Sequence, residues 1–274
     1  MPIACPLMIR PITDGTFAEI DRLVMGCAFA SQNTLGRLCD EAVYEKDLVA
    51  RLRAEGFADV HTQVPLTVSH EGFSKTYRLD LVVGQVVYEL KTALDLIPEH
   101  VAQAIHYAAL LGTDRIKLLN FRTPRVAGKL IRTPFASAGR RKVSYDATGW
   151  QPLSEQCESL AQRLRMLLAD WGAYLEGQLY EEGLIHFHGG EATGLRRIPI
   201  VRDGINLGTH EFSCHAHQLA FVVTTMTDSL DTYEQHLRRL LGFTALHGIQ
   251  WINLNRTQIK MVTLTSDKGI VTKE

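Results

Sequence analysis

The stretch Tyr77-Arg78-Leu79-Asp80-Leu81-Val82-Val83-Gly84-Gln85-Val86-Val87-Tyr88-Glu89-Leu90-Lys91 decides how this chain is read. Two apolar runs flank Gly84-Gln85, and glycine in the first central position of a two-residue loop suits a type II′ hairpin turn. Such a turn fixes the register: Val83 faces Val86, Val82 faces Val87, Leu81 faces Tyr88 and Asp80 faces Glu89. Two carboxylates directly opposed stand about 4.5 to 5.5 Å apart at Cβ and repel each other. Because strand side chains alternate, Lys91 shares the face of Glu89 while Leu90 points away. One small patch thus collects two acids and an ammonium. Oxygen ligands of this kind suit a hard cation, Mg²⁺ or Mn²⁺, leaving Lys91 to orient or help deprotonate a water. Taken alone, the hairpin fits a solvated surface ion cluster equally well.

Upstream, Thr16 and Glu19 form a capping box for a first helix, and a second, amphipathic helix runs from about Thr34 through Leu38, Ala42, Val49 and Leu52 to a stop at Gly56. Val60 to Val68 reads as a strand and Glu71-Gly72 as a turn. Downstream, Pro98 opens a helix that Gly112 closes, and Ile116 to Phe121 is a short buried strand. The first half is therefore ααβββαβ. On its third helix, His100, Gln103 and Tyr107 follow each other at spacings of three and four residues, so they share one face.

The arrangement Tyr77 to Val83, then Val87-Tyr88-Glu89-Leu90-Lys91, then His100, Gln103 and Tyr107, then Leu118-Leu119-Asn120-Phe121 closely resembles the GxxExxY family of the PD-(D/E)XK nuclease superfamily. The resemblance covers roughly Leu35 to Arg125. It implies an α/β fold with a restriction-endonuclease-like core, a mixed central sheet flanked by helices. It further implies that Asp80 and Glu89 are metal ligands, that Lys91 is the catalytic lysine and that Glu41 lies near the metal as a further ligand. Gln103 and Tyr107 match the Q-x-x-x-Y motif of related nucleases and, with His100, are the expected substrate-binding residues. One departure stands out: the name-giving motif reads Leu38-Cys39-Asp40-Glu41-Ala42-Val43-Tyr44, with leucine where the family has glycine.

With 274 residues, 46% hydrophobic and 22% charged, the chain can bury one large core or two small ones. No run approaches the roughly 18 to 20 apolar residues of a membrane span, and Arg10, Asp14, Glu19 and Asp21 occupy the place of a signal peptide, so a cytoplasmic protein without a membrane partner is expected. Five cysteines without a C-x-x-C pair argue against a disulfide framework or a zinc ribbon. Net charge is −1, yet Arg115, Lys117, Arg122, Arg125, Lys129, Arg132, Arg140, Arg141 and Lys142 form a block without an acid. Such a block is a solvated face or, beside a nuclease site, a phosphate track. His186 with His188, and His215 with His217, read as solvent-facing histidines on alternating strands rather than as metal sites.

The second half echoes the first. His106 to Gly112 followed by Ile116 to Phe121 is matched by His236 to Gly242 followed by Ile249 to Leu254. Two domains are expected, 1–150 nuclease-like and 151–274 a degenerate copy serving as an intramolecular pseudo-dimer partner. The strand from Ala220 to Thr225 carries no acid or lysine, and Tyr233 and Leu237 stand for Gln103 and Tyr107. The function expected from the whole is a Mg²⁺- or Mn²⁺-dependent nuclease acting on DNA, with RNA as an alternative substrate. Its rivals are a catalytically inactive nucleic-acid-binding or scaffold protein of the same fold, and a protein-interaction module. The sequence does not set the oligomeric state.

Overall fold

The computed structural model describes residues 2–133 and 139–266. It divides into two compact units, Met1–Gly139 and Arg140–Glu274. The first contains β1 (Ile3–Ala4), α1 (Asp14–Leu35), α2 (Glu41–Ala54), β2 (Val60–His70), β3 (Phe73–Val83), β4 (Val86–Lys91), α3 (Pro98–Leu111), β5 (Arg115–Asn120) and β6 (Ala127–Arg132). The sheet runs β1-β2-β3-β4-β5-β6 among the described residues. It is mixed, because β4 and β5 are parallel across the α3 connection while the other neighbours are antiparallel.

Local chemistry accounts for most of these boundaries. Gly84 has φ +60°, as the first central residue of a type II′ turn requires, and the register Val83–Val86, Val82–Val87, Leu81–Tyr88 is the expected one. Pro98 is the first residue of α3, and Gly112, left-handed at φ +69°, ends it. Two helix starts differ from expectation. The cap of α1 is Thr13, whose hydroxyl accepts from the Thr16 amide at 3.1 Å, so the capping position lies three residues before the expected one. Thr34 closes α1 rather than opening α2, because Gly36 turns the chain at φ +74° and Leu38, 75% exposed, lies in the connection. Helices α1 and α2 cover one face of the sheet, with Phe17, Val24, Tyr44, Leu48 and Leu52 against Leu81, Tyr88, Leu90, Leu119 and Phe121. Alternation turns Ile116 and Leu118 to the other face, where α3 packs on β5 and β6.

The second unit contains β7 (Ser144–Gly149), α4 (Glu155–Trp171), α5 (Gly177–Phe187), α6 (Glu191–Gly194), β8 (Leu195–Arg202), β9 (Ile205–Ala216), β10 (Leu219–Thr224), α7 (Leu230–Gly242), β11 (Gly248–Asn255) and β12 (Gln258–Thr265). Its sheet order is β7-β12-β11-β10-β9-β8. From β8 to β12 it repeats the order and sense of β2 to β6, including the parallel pair bridged by a helix. The sixth strands differ: β1 joins the β2 edge, whereas β7 joins β12. Recruitment of β7 to the second sheet places the break between units upstream of the 150/151 boundary expected from sequence.

Two details recur with identical spacing. The Tyr44 hydroxyl donates to the carbonyl of Gly36, which ends α1, and the Tyr180 hydroxyl donates to the carbonyl of Gly172, which ends α4, eight residues back in both cases. Buried Asn120 clamps the backbone N–H and C=O of Ala93, and buried Asn253 clamps those of Met226, both 27 residues apart.

Candidate active site

Asp80 lies near the middle of the sheet, yet its strand is unpaired there on both sides. The β3–β4 register ends at Leu81–Tyr88, and the β2–β3 register passes from Thr62–Leu81 to Val64–Leu79 without a rung between them. The expected direct Asp80–Glu89 pair is therefore not formed. In its place the Asp80 carboxylate reaches over and accepts the Leu90 amide at 2.8 Å. The physical reason is the repulsion expected from the sequence: separating the backbones lets one carboxylate take a backbone donor instead of standing square against the other.

Glu89 is only 2% exposed, and Lys91 Nζ donates to its Oε1 at 2.8 Å. Its Oε2 is buried without a hydrogen-bond partner of good geometry. Burial and then the neighbouring Asp80 push the Glu89 carboxyl up to about 8, more than Lys91 pulls it down. Burial also raises Asp80, against the Leu90 amide and Lys91. Burial and the neighbouring acid thus both work against charge on Glu89, and burial works against it on Asp80. Glu41, at the start of α2, is raised by burial and then by Asp80, which places it within electrostatic reach of the pair. No group of three or more His, Cys, Asp or Glu is drawn together as a metal site among the described residues. Buried Glu89, with an unpartnered oxygen, and half-buried Asp80 form an oxygen donor set that fits a hard divalent cation, with Lys91 beside it.

Residues 18–133 match the family model of the PD-(D/E)XK nuclease superfamily. The match runs from α1 to just past β6, less than half of the chain and wholly within the first unit. Comparison with curated proteins and with solved structures finds no match. Glu89-Leu90-Lys91 spells the (D/E)XK of the superfamily's name, and Asp80 stands for its aspartate with Leu79 in place of the proline.

The remaining expected residues of this unit fare unevenly. Gln103 Nε2 donates to the Tyr107 hydroxyl at 3.2 Å, so the spacing does bring them together. Tyr107 is only 5% exposed and packs edge-on against Tyr77, leaving little of it for a substrate. His100 Nδ1 accepts from the Ile97 amide at 3.2 Å and so caps the start of α3. Leu38 does not need to be glycine, since its backbone is not left-handed and its side chain is exposed.

The basic block is not one track. Arg115 pairs with Asp14 and Asp114, Lys117 with Asp21, and Arg132 with Asp14. Arg140 is buried and donates to the Trp171 and Ala173 carbonyls at the end of α4, where Arg141 also donates to Ala169 and Asp170. The sequence hid most of this because Asp14 and Asp21 lie far away along the chain from the cations they balance. The histidine pairs also differ from expectation: His186 is on α5, His188 ends it, and His215 is buried with Nε2 3.3 Å from Cys157 Sγ.

Gln63 and Glu45 were missed. Gln63 sits across from Asp80 at the missing rung, its Nε2 donates to Glu45 Oε2 at 2.6 Å, and its side chain is near enough to help hold the Asp80 carboxyl down. In sequence Gln63 is one polar residue in a strand, with nothing to set it apart.

Proposed function

We propose that the first unit is a divalent-cation-dependent nuclease of the GxxExxY type, hydrolysing phosphodiester bonds of DNA with RNA as the alternative substrate. The observation that carries this reading is the pairing of buried Glu89 with half-buried Asp80, and Lys91 on the same face, at the point where β3 leaves both neighbours. Asp80 and Glu89 would hold the cation, Mg²⁺ or Mn²⁺, with Glu41 as the third acid facing it. When bound, the cation supplies a Lewis acid that polarises the scissile phosphate and lowers the pKa of a coordinated water. Lys91 orients the attacking water and meets the negative charge that grows on the phosphate oxygens. Leu90 keeps Asp80 aimed through its amide.

We infer that the second unit is a copy of the first that has lost this chemistry. The recurring Tyr–Gly and Asn–backbone hydrogen bonds support common descent more strongly than a shared strand order alone. Aligned on those features, Gly177 stands for Glu41, Val222 for Glu89 and Thr224 for Lys91.

The test is a cleavage assay on labelled single- and double-stranded DNA and RNA with Mg²⁺ or Mn²⁺. Wild-type protein should cut, Asp80→Ala should not, and Lys91→Ala should retain Mn²⁺ binding while kcat falls by about 10²- to 10³-fold. An Asp80→Ala preparation that cuts as fast as wild type would sink the assignment.

A further inference from the structure

We propose that Gln63 is a positioning residue that clamps Asp80 to helix α2 through Glu45 and so sets the carboxylates for the cation. The proposal rests on the nuclease reading above. Gln63 has φ +50°, a left-handed conformation that non-glycine residues adopt only at a cost, and it does so inside an eleven-residue strand where no turn is made. The strain falls at the one rung missing between β2 and β3, opposite Asp80. The Gln63 carbonyl is taken up by Arg78 Nη1 at 3.2 Å. The same residue turns its amide to Glu45, one turn along α2 from Glu41, and faces Asp80 across the missing rung.

The residue type fits this role. A carboxamide nitrogen carries two protons, enough to serve one carboxylate on each side without adding charge. A glutamate here would repel both acids, and a lysine would neutralise the charge that a cation needs. Backbone strain at a residue that touches a candidate ligand is the pattern of a functional constraint rather than of a strand interior. Outer partners that orient metal ligands change metal affinity when removed, and this is what Gln63 should do.

Gln63→Gly separates the two roles a glutamine could have here. Glycine relieves the left-handed strain, so a residue that only shapes the strand would leave Mn²⁺ binding and turnover intact while Tm rises. A clamp predicts that the full-length Gln63→Gly protein melts at or above wild type, binds Mn²⁺ about 10- to 100-fold more weakly by calorimetry, and loses kcat with KM for a short DNA substrate held. Gln63→Asn, which tolerates the backbone but lacks the reach, should show the same loss of affinity. If wild type binds Mn²⁺ and Gln63→Gly binds it equally well, the clamp is overturned and the nuclease reading stands. If wild type binds no Mn²⁺, both fall together.

Discussion

At Glu89, burial, a second carboxylate and an unpartnered oxygen act on one side chain, with Lys91 as the only described opposing charge in direct contact. A group so placed opposes folding, which is in keeping with the ligand role proposed for it. Glu89→Gln isolates that cost. The amide oxygen still accepts from Lys91, while the amide nitrogen places a donor toward Asp80, where the buried oxygen now lacks a partner of good geometry. In chelator, the variant should therefore be more stable than wild type by about 1 kcal/mol, and it should neither bind Mn²⁺ nor cut. Chemical denaturation beside a metal titration measures both. A less stable variant would mean that the carboxylate contributes to the fold, and the repulsion argument for the opened strand would fail. The grouping of Asp80, Glu89 and Lys91 was legible because a two-residue turn fixes register and parity. The missing fourth rung was not, since turn geometry says nothing about where a ladder gives way.

Elements were legible where periodicity and punctuation agreed. β4 falls on its expected residues, and α3 runs from Pro98 to the residue before Gly112. Strand β6 was obscured by its cations, and β1 is two residues long, too short to carry a period. The proposed duplication was partly visible in the helix-glycine-strand echo, but its firmest support is single polar contacts that only the fold assembles. Asn120 and Asn253 each fasten the residue that follows the central parallel strand pair, using one acceptor and one donor. If they are the same feature inherited twice, Asn120→Ala and Asn253→Ala should each destabilise the chain by about 1 to 3 kcal/mol, because each leaves two half-buried backbone groups without their partner. Equilibrium denaturation of the two variants checks this. A loss under about 0.5 kcal/mol in either one would show that water replaces the side chain there, and the equivalence would lose its energetic basis.

For the molecule as a whole, net charge is near zero, so its response to acid is set by individual groups. Exposed Asp14 and partly exposed Asp114 have carboxyls lowered by hydrogen bonds to arginine, and act only below the ordinary carboxylate range. Between pH 7.5 and 5 the strongest contribution in the other unit is His215, which burial and then His188 push down to about 4. His188 is lowered too, by burial first. In the unfolded chain an imidazole titrates near 6.5. The unfolded state thus binds more protons than the folded one between those values. His215 contributes full stability above about pH 6.5 and loses it as pH falls toward about 4, with about 2 kcal/mol gone by pH 5. Glu89 acts in the opposite sense over part of this range, since its raised carboxyl favours the folded state as pH falls. The informative quantity is therefore a difference between proteins. His215→Phe keeps a ring beside Phe221 and removes the titration. Wild type should lose about 2 kcal/mol more than His215→Phe between pH 7.5 and 5, measured by urea unfolding at each pH. Equal losses would mean that His215 is protonated in the fold, which its burial against Cys157 and His188 argues against.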